Sequence, residues 1–269
     1  MATPNFEQIQ SFSVVTQQLT QRAVDEFMAA YSVNMSVDDI ADLASMIAEQ
    51  YNMLGAELGA QWYDLCSRLA NLEVDEAELV ELDPDAIRNR ARAAADKYAN
   101  GATLENSVNS FLQNIIQDSI RTTGNANLWR DYERGMVSGR WARVPVGETC
   151  AWCLMLASQG AWYVSEESAL GKEAGHYHSD CNCVAVYHAN PDNIPNYNGL
   201  AHYKEMYYAA ENARVANASG RDPYDEELQM RVNRARAEHR AKYDAGETDI
   251  KWTKYNETLI LMRYKYGLK

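Results

Sequence analysis

Apolar residues recur at steps of three and four through the first half of the chain, the spacing of one helical face. Phe12, Val15, Leu19, Ala23 and Phe27 predict an opening helix, with Thr3 as its N-cap and Pro4 as its first residue. Ser36 followed by Asp39 reads as a capping box with Asp in place of Glu. It opens the longest stripe in the chain: Ile40, Leu43, Ile47, Tyr51, Leu54, Leu58, Trp62, Leu65 and Leu69. Cys66 lies at the edge of that stripe and reads as a small buried hydrophobe. Residues 73–85 interrupt the periodicity as an acidic connector. Asp83-Pro84 then caps a helix that runs past Arg88, Arg92 and Lys97 to Asn100-Gly101, and Thr103 starts another with Val108, Phe111, Leu112, Ile115 and Ile116 inward. No strand pattern interrupts this half, so residues 1–135 are expected to form a helical N-terminal domain.

The pattern changes near Gly135. Short apolar runs with turn residues at 143–150, 160–165 and 184–187 predict strands and loops, and residues 153–158 predict one or two helical turns. An Asn/Pro loop at 190–199 closes this stretch, expected as a small α+β module over 136–200. Helix returns in 201–269: one helix over 203–217 with Gly220 as its stop, a restart at Asp222-Pro223, and a polar helix over 224–243 with Glu227/Arg231 and Glu238/Lys242 pairs. A last stripe holds Trp252, Tyr255, Leu259, Met262 and Tyr266. It either folds back on its own domain or docks into a larger assembly. The predicted class is α+β and predominantly helical: helical domain, small Cys/His-stabilised module, helical C-terminal tail.

Charge narrows the function classes. The chain carries a formal net charge of −13, and residues 1–120 hold 19 acidic against 6 basic side chains. Such a surface repels phosphate backbones, so non-specific nucleic-acid binding is not expected of the isolated protein. No apolar run reaches the roughly 18–20 residues of a membrane span. The opening residues lack the basic flank and apolar stretch of a signal peptide, which predicts a protein made and, at least initially, kept in the cytosol. In that setting clustered cysteines favour metal or redox chemistry over disulfides.

Four of the five cysteines are clustered, as Cys150-Ala-Trp-Cys153 and as His176-Tyr-His178-Ser-Asp-Cys181-Asn-Cys183. Sulfur and imidazole donors at these spacings are what a tetrahedral structural zinc takes. Five groups compete for four positions: Cys150, Cys153 and His178, with Cys181 or Cys183 as the fourth. A redox pair, disulfides and plain reduced thiols are the competing readings. Glu166, Glu167 and Glu173 fall between the clusters without forming the open three-ligand site of a catalytic zinc. No phosphate-binding loop, dinucleotide fingerprint or nucleophile elbow occurs, and His188, His202 and His239 read as ordinary residues. No enzymatic activity and no small-molecule substrate are expected.

The stretch Arg143-Val-Pro-Val-Gly-Glu-Thr-Cys150-Ala-Trp-Cys153-Leu-Met-Leu-Ala-Ser-Gln-Gly160, followed by Tyr177-His178-Ser-Asp-Cys181-Asn-Cys183, resembles phage Mu F-like minor head proteins, nearest to those of actinobacterial phages. Thr149, Cys150, Cys153, His178, Cys181 and Cys183 match that family's Thr-Cys-x-x-Cys…His-x-x-Cys-x-Cys pattern. The likeness covers about 40–45 residues, and the flanks share only helical style. It implies a minor capsid protein of a tailed-phage virion, with a role in head morphogenesis. The implied partners are the portal protein and the major capsid protein, with packaged DNA as a further partner at ejection. Some relatives are labelled capsid maturation proteases. That is the enzymatic alternative, with a zinc-dependent nuclease behind it.

Overall fold

The computed structural model describes residues 3–138, 140–147, 150–158, 183–188, 194, 199–245 and 251–268. Four long helices come first: α1 (Phe6–Ala30), α2 (Val37–Leu69), α3 (Pro84–Ala99) and α4 (Ser110–Glu133), the last entered through a π-helical turn at Glu105–Asn109. Helix α1 is capped two residues later than its sequence suggests, at Asn5 instead of Thr3. Asn5 accepts from the Gln8 N–H, and the Gln8 side chain accepts from the Asn5 N–H. This reciprocal box satisfies two donors, whereas Pro4 at the first helical position would satisfy none. The Ser36/Asp39 box and the Asp83-Pro84 cap stand where the sequence places them.

The centre of this frame is the seam between α2 and α4. Its tightest points are glycines rather than the large apolar residues of the α2 stripe. A Cβ on Gly55 would sit 2.9 Å from Ser119 Cβ, and one on Gly59 would sit 2.4 Å from the Ile120 carbonyl oxygen. Ala44, Ala48 and Ala56 continue this narrow face in full burial, while Leu43, Leu54 and Leu58 are only partly covered. Small residues let the helix axes approach, and Ile115, Ile116 and Ile120 of α4 fill the flanks.

The acidic connector is an extended strap, and polar side chains of α2 and α4 hold its backbone. Asn127 exchanges two 2.8 Å bonds with the main chain of Glu78. Thr123 does the same with Val80 (3.3 and 2.8 Å), and Asn52 with Leu82 (3.0 and 3.2 Å). Ser119 in turn donates to Asn52 Oδ1 at 2.7 Å, and Arg130 reaches the carbonyls of Asp75 and Glu76. Positions 119, 123, 127 and 130 form one stripe of α4, rising about 4.5–6 Å per step. That roughly matches the ~6.6 Å of two extended residues.

Beyond α4 lies an antiparallel pair of strands, β1 (Trp141–Pro145) and β2 (Cys183–Tyr187), with Trp141 opposite Tyr187 and Pro145 opposite Cys183. Trp141, Val144, Val184 and Val186 share a core with Ile9, Trp62, Tyr63 and Leu128. Trp62 Nε1 donates to the Ala185 carbonyl at 2.6 Å, and Gly124 leaves room on α4 for the Tyr187 phenol.

The remaining elements are α5 (Ala151–Ser158), α6 (Gly199–Ala218), α7 (Glu226–Asp244) and α8 (Lys254–Tyr266). Helix α7 is capped by Asp225, whose side chain accepts from the Leu228 N–H, so the restart falls after Asp222-Pro223. The four helices share a core of Ala151, Leu154, Met155, Met206, Leu228 and Met262 with neighbouring aliphatics. Leu259 and Met262 of the terminal stripe are buried in it, so α8 folds back on its own unit. At its rim Thr258 donates to Glu211 at 2.8 Å and Tyr224 donates to Glu257 at 2.9 Å.

By its contacts the chain forms two compact units. One takes in residues 1–146 with 161–197, and the other 147–160 with 198–269. Residues 136–200, expected as one module, contribute to both. The fold is a predominantly helical α+β arrangement.

Candidate functional site

The first cysteine pair is built on the start of α5. Cys150 precedes the helix, and its carbonyl accepts from the Leu154 N–H at 3.1 Å. Its Sγ accepts from the Cys153 N–H at 3.4 Å, taking the position a Ser or Asp oxygen fills in an ordinary N-cap. Cys150 is half-buried and Cys153 is buried. Cys183 is half-buried and opens β2 in the other unit, opposite Pro145. There it lines a cavity of about 50 Å³ with Phe12, Trp62, Gln117 and Arg121. His178 and Cys181 lie outside the described residues, as do Glu166, Glu167 and Glu173. Among the described residues no three His, Cys, Asp or Glu side chains converge on one point.

A second polar cluster in the N-terminal unit escaped the sequence. Asp131 is fully buried at the end of α4, where its carboxylate accepts from Tyr63 at 2.7 Å and from Arg130 Nε at 2.8 Å. One turn along α2, Ser67 Oγ lies 3.1 Å from His188 Nε2, across 121 residues of sequence. The Tyr63 ring packs edge-on against both Tyr187 and His188 at 5.3 Å. His188 follows β2 in the left-handed region, at φ 59°, and its N–H bonds the Arg140 carbonyl. Burial lowers its imidazole to about 4, opposed by the charge of Asp131. Burial and the bond to Asp131 raise the Tyr63 phenol, and burial pushes the neighbouring Cys66 thiol up to about 12.

Ser67 and His188 make the contact of a nucleophile and its base, yet their surroundings work against that chemistry. Ser67 is 1% exposed, so no carbonyl can reach it. The imidazole is a weakened base, and the Asp131 oxygens are taken by Tyr63 and Arg130. What the cluster does is tie α2, α4 and the end of β2 together. Its sequence signal was Tyr63 and Ser67, polar residues four apart on the inner face of α2.

A groove of about 620 Å³ runs between α1 and α2, floored by Phe12, Val15, Leu58 and Leu65 and edged by Glu7 and Arg68. No described helix is long and apolar enough to cross a membrane.

Comparison with known proteins gives this architecture a context. The sequence matches the VG15 protein family over residues 2–210, which takes in the helical frame, the strap, both strands and both cysteine clusters. The Gene 15 protein of Mycobacterium phage D29 is 28% identical over 177 aligned residues, covering 52% of this chain and 62% of that protein. The match therefore spans less than two thirds of that relative's length. No solved structure matches the fold. With a family match extending over most of its length and a mycobacteriophage protein among its relatives, the chain belongs to the VG15 protein family and is a bacteriophage protein.

Proposed function

We propose that this chain is a minor capsid protein of a tailed phage, a Mu F-like component that acts in head morphogenesis at the portal vertex and stays in the virion. One observation carries the reading: the Thr149-Cys150…Cys183 pattern, which resembles that of phage minor head proteins, lies wholly inside the span matched by a phage protein family. The architecture suits an assembly role. A rigid acidic helical frame presents a long groove along α1 and α2, which fits docking on portal or major capsid subunits better than binding of free DNA. Packaged DNA enters as a partner only on a surface completed by other head proteins.

Within this reading Cys150, Cys153 and His178, with Cys181 or Cys183, hold a structural zinc. Cys150 and Cys153 stand in one helical turn, and two sulfur donors at that spacing fit a soft metal. Bound zinc would supply a tetrahedral cross-link for a segment with little core of its own. Elemental analysis of freshly purified, reduced protein is expected to find about one zinc per chain, lost in Cys150→Ser. Protein that carries no metal when purified reduced removes the zinc.

Co-expression with the portal protein of the same phage tests the assembly role. The expected result is a stable complex that survives size exclusion. Failure to associate with portal, or with capsid shells formed alongside it, removes the portal-vertex reading. The maturation-protease alternative has one geometric foothold, the Ser67–His188 contact. Ser67→Ala and His188→Asn are expected to leave processing of co-expressed capsid protein unchanged.

A further inference from the structure

In an extended chain the N–H and C=O of one residue point to one edge, and those of the next point to the other. Glu78, Val80 and Leu82 turn theirs toward the helices, where Asn127, Thr123 and Asn52 engage all six groups. Leu79 and Glu81 therefore present theirs outward, and those groups bond no described residue. Both residues are exposed, Leu79 by 52%. The result is a strand-like edge that is already fixed. Its inner side is held by helix side chains instead of a neighbouring strand, and its outer side is open. A segment pairing there finds half of the ordering cost already met.

The Ala77 N–H is taken by Asp64 at 3.0 Å, so the open edge begins at Leu79, and we propose that the outer edge of residues 79–82 is a docking edge for an extended, basic segment of a partner protein, which adds to it as a β-strand. Charge selects this occupant. From Glu73 to Asp85 the chain holds seven carboxylates and no Lys or Arg. Arg130, Arg134 and Arg88 pair with Glu78, Asp75 and Asp85. Glu73, Glu76, Glu81 and Asp83 have no cationic partner among the described residues. A second copy of the chain is a poor occupant, because antiparallel self-pairing sets carboxylates against carboxylates. Leu79 and Glu81 share one face of the strap, so the partner offers an apolar and a basic residue two apart on that same face, across from them. The inference does not depend on the phage-head reading.

The test uses the full chain and a capped octapeptide, Lys-Thr-Val-Thr-Lys-Thr-Val-Thr, with a control carrying Glu in place of Lys. Saturating basic peptide is expected to slow amide exchange at Leu79 and Glu81 by about tenfold or more, while Glu78, Val80 and Leu82 stay as they were. Leu79→Pro removes one outward donor and keeps every charge, and Glu81→Lys reverses one charge and keeps every donor. With unchanged melting, each is expected to weaken the peptide by about tenfold. Glu81→Lys keeps the test decisive if Leu79→Pro fails to fold. Equal binding of the Glu control, equal binding by both variants, or no protection at Leu79 and Glu81 would overturn the proposal. So would protection of these amides that rises with protein concentration alone, which would make the occupant a second copy.

Discussion

Among the described residues the N-terminal unit buries twelve polar side chains, from Ser13 to Arg143, whereas the C-terminal unit buries two, Ser158 and Thr258. The methionines are distributed the other way. Met155, Met206 and Met262, the buried ones, all lie in the C-terminal unit. Buried polar groups that find all their partners select one arrangement, because any shift leaves a donor or acceptor stranded. Methionine and leucine packing tolerates several arrangements at similar cost. The N-terminal unit is thus built to hold one geometry: the strap in register on α4, and the strand pair on α2. The C-terminal unit is built to stay compact, with few polar groups inside it. A frame of fixed geometry suits the assembly role proposed for it.

The difference can be broken or sharpened by substitution. Asp131→Ala leaves the Tyr63 hydroxyl and Arg130 Nε without their acceptor, while the rest of the guanidinium keeps Glu78 and the strap carbonyls, and is expected to cost about 3–4 kcal/mol in urea unfolding. Gly59→Ala drives a methyl into the Ile120 carbonyl and is expected to cost about 3 kcal/mol. A cost below about 1 kcal/mol would mean that the seam can slide, and the contrast between the units would weaken. His188 gives a pH dependence. Its folded-state value of about 4 lies below the ordinary 6.5, so the unfolded chain binds a proton more readily across that window. Its contribution is complete above about pH 7 and is lost as pH falls toward 4, about 3 kcal/mol in all. His188→Asn tolerates the left-handed backbone and should flatten that slope. Asn127→Ala frees the Glu78 main chain and is expected to cost about 1–2 kcal/mol, with faster exchange confined to the strap. The smallest effect belongs to the other unit: Met206→Leu is expected to cost less than about 1 kcal/mol.

Local signals carried much of the fold. The Ser36/Asp39 box, the Asp83-Pro84 cap and the stripes of α1, α2 and α4 are properties of adjacent residues, so the sequence displays them. The α2–α4 seam does not announce itself in the same way. Periodicity weighs large apolar side chains, whereas the closest approach is made at Gly55 and Gly59, which add nothing to a hydrophobic stripe. The strap read as an acidic connector, because its order comes from Asn52, Thr123 and Asn127 on other elements. A stripe of Ser119, Thr123 and Asn127 along one buried face of α4 was the available sign. The Ser67–His188 contact joins residues 121 apart, beyond any spacing argument. Of the five expected ligands, Cys150 and Cys153 were legible as a pair, and the structure places them in one helical turn. Cys183 stands on β2, and Cys181 lies outside the described residues.

The composition of purified particles decides the proposed head role. Quantitative mass spectrometry of the phage's mature heads, with infected-cell lysate as reference, is expected to find the chain at low copy, retained through purification and fixed relative to portal. Abundance in lysate with absence from both capsid precursors and mature heads would contradict it.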